Sequence, residues 1–201
     1  DKIHSTLEKI DQNAFELAVD TILHAKHIYI IGIRSCAPLA SFMAFYFTLM
    51  FPNVHLIQTS SSSEIFEQMV RIGKEDVIIG ISFPRYSMRT LKAMEFANNR
   101  SAKVITLTDS VHSPMNLYSS CNLIADSDMA SIVDSLVAPL SVINALIVAL
   151  CMKKQNEVAK TLEMLEDIWD EYQVYENDEI NYIDDSIKMR YGKVGDAELY
   201  E

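Results

Sequence analysis

Residues 27–51, HIYIIGIRSCAPLASFMAFYFTLMF, decide the fold. Residues 27–31 form a continuous apolar run that stops at Gly32. A short polar segment follows, and then a second apolar stretch of helical length from Pro38 to Phe51. Strand, turn, helix is the implied unit. Its strand is apolar at successive positions, as a strand covered on both faces must be.

The unit recurs along the chain. Residues 54–58 (VHLIQ) lead through TSSSS into a helix around 64–72, and residues 76–82 (DVIIGIS) lead through FPRYS into a helix around 88–99. Residues 103–108 (KVITLT) lead through DSVHSP into a short helix near 115–118, and residues 122–125 (NLIA) make a brief fifth strand. Five short strands alternating with helices fit right-handed βαβ crossovers, so the expected class is α/β, a three-layer doubly wound five-stranded parallel sheet. Residues 3–24 supply an amphipathic helix ahead of the first strand, and residues 132–152 a long apolar helix after the last. Asp134, Ser135, Pro139, Ser141 and Asn144 interrupt that apolar run on several faces. A helix buried in the core or at a dimer face accounts for it better than a membrane span. Helical spacing resumes over 153–174, and residues 175–201 read as an acidic arm. The expected organisation is one domain over 1–174 followed by that tail.

The 201 residues carry a net charge of −11, and residues 153–201 hold 14 acids against 6 bases. Such a chain lacks the positive surface that a nucleic-acid backbone requires, so this stretch is not expected to bind nucleic acid by itself. Cys36, Cys121 and Cys151 are an odd number, far apart, with no CxxC pair. They point to a reducing, cytoplasmic setting and away from a structural zinc site. Without G-x-G-x-x-G or a Walker lysine, no nucleotide cofactor is expected. The chain opens on Asp1 instead of Met, which suggests a segment upstream.

In a doubly wound sheet, ligands sit beyond the carboxyl ends of the strands. Those segments here are rich in hydroxyls: Ser35, Thr59 through Ser63, Ser82, Ser87, Thr108 and Ser110. Hydroxyls and backbone N–H groups converging on helix starts make an anion site, for which phosphate is the natural occupant. Arg34 and Arg85 would add charge-assisted bonds. Each serine taken singly is equally at home as a helix N-cap.

The segments IYIIGIRS (28–35), ISFPRYS (81–87), LTDSVHSP (107–114) and DSLVAPLSVINAL (134–146) resemble the sugar isomerase (SIS) domain, and more narrowly the version in RpiR-type bacterial transcriptional regulators. The resemblance covers about residues 1–152. It implies the SIS fold with flavodoxin-like topology, a sugar phosphate as ligand, a homodimer, and contact with DNA only through an N-terminal helix-turn-helix domain absent from this chain. No membrane partner is implied. Ser35 matches the hydroxyl position after the first strand, and Ser82 and Ser87 match the outer residues of the S-x-S-G-x-T phosphate loop. Pro84 and Arg85 stand where that motif has Ser and Gly, which removes a hydroxyl and supplies a guanidinium. Ser60 and Ser61 match the region that meets sugar hydroxyls.

Some SIS domains are aldose–ketose isomerases, which need a base to move a proton between adjacent carbons. Glu64 resembles that base in position, but an acid in the first turn of a helix is also favoured by the helix dipole alone. His112 stands where a ring-opening group could lie, or is simply an exposed loop histidine. Asp134 reads as a cap or interface acid. The leading expectation is a phosphosugar sensor and not an enzyme, with an isomerase as the alternative and a ligand-free dimerisation module as a third.

Overall fold

The structure is a computed structural model and describes residues 11–59, 61–127 and 135–174. Helix α1 (Gln12–Leu23) is started by Asp11, whose side chain accepts hydrogen bonds from the N–H groups of Asn13 and Ala14 at 2.9 and 3.2 Å. Strand β1 (Ile28–Gly32) then runs through a 3-10 turn, Arg34–Cys36, into α2 (Ala37–Met50). Pro38 lies in the first turn of α2, where its missing N–H costs nothing. Next come β2 (Val54–Ile57), α3 (Ser62–Gln68), β3 (Val77–Ile81), α4 (Met88–Asn99) and β4 (Lys103–Thr108). A 3-10 turn (Pro114–Tyr118), β5 (Cys121–Ile124), α5 (Val137–Lys153) and α6 (Gln155–Glu171) follow.

All four strand pairings are parallel and the strand order is β2-β1-β3-β4-β5. The chain steps from β1 outward to β2, then returns past β1 to lay down β3, so the order reverses between β1 and β3. Side chains alternate across the sheet with period two. Ile28, Ile30, Ile79, Ile81, Ile105 and Leu107 pack with α1, α2 and α5, whereas Tyr29, Ile31, Ile78 and Val104 pack with α3 and α4. Both faces of the sheet are therefore covered, and the expected three-layer doubly wound architecture is present. Each fully buried isoleucine contributes about 1.5–3 kcal/mol to this core.

Two boundaries differ from the sequence pattern for local reasons. Helix α3 ends at Gln68 and not at 72, because the chain turns at Gly73: its N–H donates to Asp76 Oδ2 at 2.8 Å and its carbonyl accepts from the Asp76 N–H at 3.0 Å. Met69 and Ile72 stay buried in that turn, which is why they kept the apolar rhythm. Helix α5 begins at Val137, which puts Pro139 within the first turn where a proline is tolerated. Residues 132–134 of the expected helix lie outside the described residues, as do 1–10 of the lead-in helix and the 175–201 arm. No single helix among the described residues is long and apolar enough to cross a membrane. The apolar character of α5 is used inside the protein: Val142, Ile143, Leu146 and Leu150 are buried in the core.

Residues 11–158 belong to one compact unit that holds the whole sheet. The described part of the second unit, residues 159–174, continues α6 and contains no fully buried side chain.

Candidate functional site

The strand order places two loops side by side at the reversal point, because the last registered pair of β1 and β3 is Gly32 with Ile81. After Gly32 the chain bends immediately into the 3-10 turn. A Cβ on Gly32 would stand 2.6 Å from the Cys36 carbonyl oxygen and 3.1 Å from Ala40 Cβ, so only glycine lets the turn and α2 come this close to the strand. Arg34 and Ser35, on that turn, are exposed. Helix α2 has no side chain capping its first N–H groups and no acid in its first turn.

The neighbouring loop is closed on itself. The Ser82 N–H donates to the Leu107 carbonyl at 3.1 Å, which ties the loop to β4, and Ser82 Oγ accepts from the Ser87 N–H at 3.0 Å. Ser87 Oγ in turn accepts from the Thr90 N–H at 3.3 Å and caps α4. Each of these two hydroxyls thus uses an oxygen lone pair on the backbone; Ser82 is itself buried and Ser87 half-buried. Arg85, inside this turn, is exposed. Its backbone lies in the left-handed region at φ 72°, and Arg34 does the same on the adjacent strand tip at φ 60°. A non-glycine residue held there costs about 1–2 kcal/mol. Among the described residues four non-glycines have a positive φ; Ser101 and Gln173 lie elsewhere, and Arg34 and Arg85 lie on these neighbouring strand ends.

Five of the candidates, Arg34, Ser35, Ser82, Arg85 and Ser87, therefore lie on two adjacent strand tips. The β2 loop is different. Thr59 Oγ1 donates to Glu64 Oε2 at 2.5 Å and accepts from the Ser61 N–H at 3.0 Å, while Ser61 Oγ lies 3.0 Å from Ser63 Oγ. These groups satisfy one another at the start of α3, on the far side of β1 from β3. Ser60 and Asp134 lie outside the described residues, and His112 is exposed. A shallow groove of about 250 Å3, lined in part by Phe66, Met88 and Arg89, opens between the first turns of α3 and α4, beside Ser61 and Ser87.

Sequence reasoning passed over three residues here. Tyr86 OH donates to Asp109 Oδ1 at 2.9 Å, linking the β3 and β4 loops. Burial, foremost, holds the Tyr86 hydroxyl above its ordinary pKa. Thr90 Oγ1, in the first turn of α4, is a buried hydroxyl without a hydrogen-bond partner. The position of Tyr86 inside FPRYS was the available signal; the partner role of Asp109 depends on strand adjacency, which no local motif encodes.

The cysteines are structural. None is in a disulfide. Cys121 donates to the Ala14 carbonyl at 2.9 Å, and burial pushes its thiol up to about 11. Cys151 donates to Met50 Sδ at 3.4 Å and is also raised by burial. Among the described residues no three His, Cys, Asp or Glu side chains cluster as metal ligands would.

Comparison with known proteins agrees with this architecture. The SIS domain family model matches residues 21–149. An uncharacterized HTH-type transcriptional regulator of Caldanaerobacter subterraneus subsp. tengcongensis is 25% identical over 167 residues, covering 80% of this chain. The match spans only 58% of that regulator's length. Among solved structures, the sugar isomerase domain of an RpiR transcription factor from Sphaerobacter thermophilus superposes with a TM-score of 0.78 at 23% identity, covering 83% of this chain and 92% of that one. The Vibrio vulnificus NanR protein, complexed with ManNAc-6P, superposes with a TM-score of 0.72 at 19% identity, covering 83% of this chain and 65% of that one. With a five-stranded parallel sheet in this order and the family model matched along most of it, the chain belongs to the SIS domain family.

Proposed function

We propose that this domain is the phosphosugar-sensing effector part of an RpiR-type bacterial transcriptional regulator. The observation that carries the reading is the pair of strained arginines, Arg34 and Arg85, on adjacent strand tips with Ser35, Ser82 and Ser87. Hydroxyl protons and guanidinium groups are donors only toward a phosphate dianion, and a phosphate ester is an acceptor only, so the two sets match. The sugar then extends toward Ser61 and the groove beside Met88; Ser60, the other sugar candidate, lies outside the described residues. The regulator and NanR likenesses support the same class of protein.

Ligand binding has to be coupled to an output. Helices α2 and α5 carry no charged side chain before Lys153, yet Phe45, Val148 and Met152 are 62%, 57% and 68% exposed. That surface suits a second copy of the chain. Phosphate drawn between the β1 and β3 loops pulls on the start of α2, and so on the dimer face. DNA-binding domains joined ahead of residue 1 would then be repositioned, to the extent that the ligand prefers one arrangement over the other. The setting is cytoplasmic.

An isomerase would use the same cradle, but its base is poorly supplied here. Glu64 is tied to Thr59, and Asp109 to Tyr86. The test is a thermal-shift panel of sugar phosphates, the parent sugars and nucleotides. At least one sugar phosphate is expected to raise the melting temperature without being converted to a ketose. Stabilisation by plain sugars or nucleotides alone would overturn the reading, and turnover that is lost in Glu64→Gln would replace it with the enzyme.

A further inference from the structure

We propose that Tyr86 and Asp109 are a positioning pair, a latch between the third and fourth strand-end loops that holds Arg85 in the conformation that receives phosphate. The inference rests on the phosphate reading above and assigns work to two residues that touch no ligand in it. Arg85 is flanked by two fastenings. On its C-terminal side Ser87 donates its N–H to Ser82 Oγ, which fixes the width of the turn. Phe83 is anchored in the core at the start of the 83–86 segment. Tyr86 adds a tie on the other side of Arg85: it follows Arg85 directly, and its hydroxyl donates to Asp109 Oδ1 at 2.9 Å, 23 positions away in sequence.

The acceptor is itself immobilised. Thr108 Oγ1 donates to the same Asp109 oxygen at 3.1 Å and is hydrogen-bonded to Ser113 Oγ at 3.0 Å. Thr108 is the last residue of β4 and fully buried, and Ser113 is buried and caps the next turn. Asp109 thus transmits the rigidity of the sheet to a loop that holds a left-handed arginine. A strained residue persists only where its neighbours over-determine it. Tyr86 and Asp109 supply that constraint from the side of the turn that the serines do not reach. Tyr86 and Asp109 are both half-buried, and their bond joins the Thr108–Ser113 network at the end of β4.

The test uses the full chain with inorganic phosphate as the probe. It compares wild type, Tyr86→Phe, Arg85→Ala and the double variant by phosphorus NMR titration at fixed ionic strength. Tyr86→Phe is expected to weaken phosphate binding about fivefold, the size of one such hydrogen bond, to speed amide exchange over residues 84–88 and to lower the melting temperature by about 2–4 °C. The double variant is expected to bind no more weakly than Arg85→Ala alone, because the tyrosine acts through the arginine. Asp109→Asn, which keeps an acceptor oxygen, restores near wild-type affinity where Asp109→Ala does not. Unchanged binding in Tyr86→Phe, or losses that simply add in the double variant, overturns the latch and leaves the ligand reading standing. Failure of phosphate to bind the wild type overturns that reading and the latch with it.

Discussion

Arg85 holds a left-handed backbone conformation that glycine adopts without strain. The guanidinium is therefore gained at a cost in stability. Arg85→Gly relieves about 1–2 kcal/mol of left-handed strain, against which the added freedom of glycine in the unfolded chain takes back part. The net expectation is a variant more stable by about 0.5–1 kcal/mol that binds sugar phosphate at least tenfold more weakly, from urea unfolding and calorimetry on the same samples. Lower stability together with unchanged affinity would contradict the account. Gly32 shows the opposite case, where the constraint is space and not dihedral angle. Gly32→Ala pushes a methyl against the Cys36 carbonyl, a backbone atom that cannot swing aside. It should lose about 2 kcal/mol by overpacking and loosen the Arg34 turn, so both the unfolding midpoint and the affinity fall.

Among the elements, β1 and β2 carry a separate feature at the end of the sheet away from the site. His27 Nδ1 lies 3.1 Å from His55 Nε2, and the His55 ring stacks on Tyr29 at 4.7 Å between centroids. The His55 pKa is lowered, first by burial and then by His27 beside it, against a raising pull from Asp76. The unfolded chain therefore takes up this proton more readily than the folded one. Stability is full above the ordinary histidine value of 6.5 and is lost as pH falls through it. Unfolding midpoints measured between pH 7.5 and 5 should decline on the acid side, and His55→Phe, which keeps an aromatic ring for Tyr29, should flatten that limb. An equal decline in the variant would mean that other groups cause it. The elements themselves were legible in the sequence because period and punctuation agree. The apolar strands and the serine-rich strand ends are both local patterns, and each expected strand is present within a residue or two at its ends. The length of α3 was not legible, since Met69 and Ile72 are buried from a turn as well as they would be from a helix. Nor was the Tyr86–Asp109 bond, which depends on β3 and β4 being neighbours.

At the scale of the whole molecule, an acidic chain sets two arginines, Arg34 and Arg85, on adjacent strand tips, while α2 and α5 carry no charged side chain before Lys153. The class of fold was legible in the sequence, and the structure sets five of the candidate residues on two adjacent strand tips. Ser61 lies on the β2 side, in a local network with Thr59, Ser63 and Glu64. If α2 and α5 meet a second copy, Phe45→Asp combined with Met152→Lys should halve the mass found by light scattering. A wild type that is already monomeric at the same concentration would refute the dimer face. The central claim is that phosphate is captured at the reversal point between β1 and β3. A crystal structure of the full chain grown with the sugar phosphate that stabilises it most tests this directly. The account predicts phosphate oxygens within about 3 Å of Ser35 Oγ, Ser82 Oγ or Ser87 Oγ and of the Arg85 guanidinium. Phosphate density elsewhere, with these side chains untouched, would contradict it.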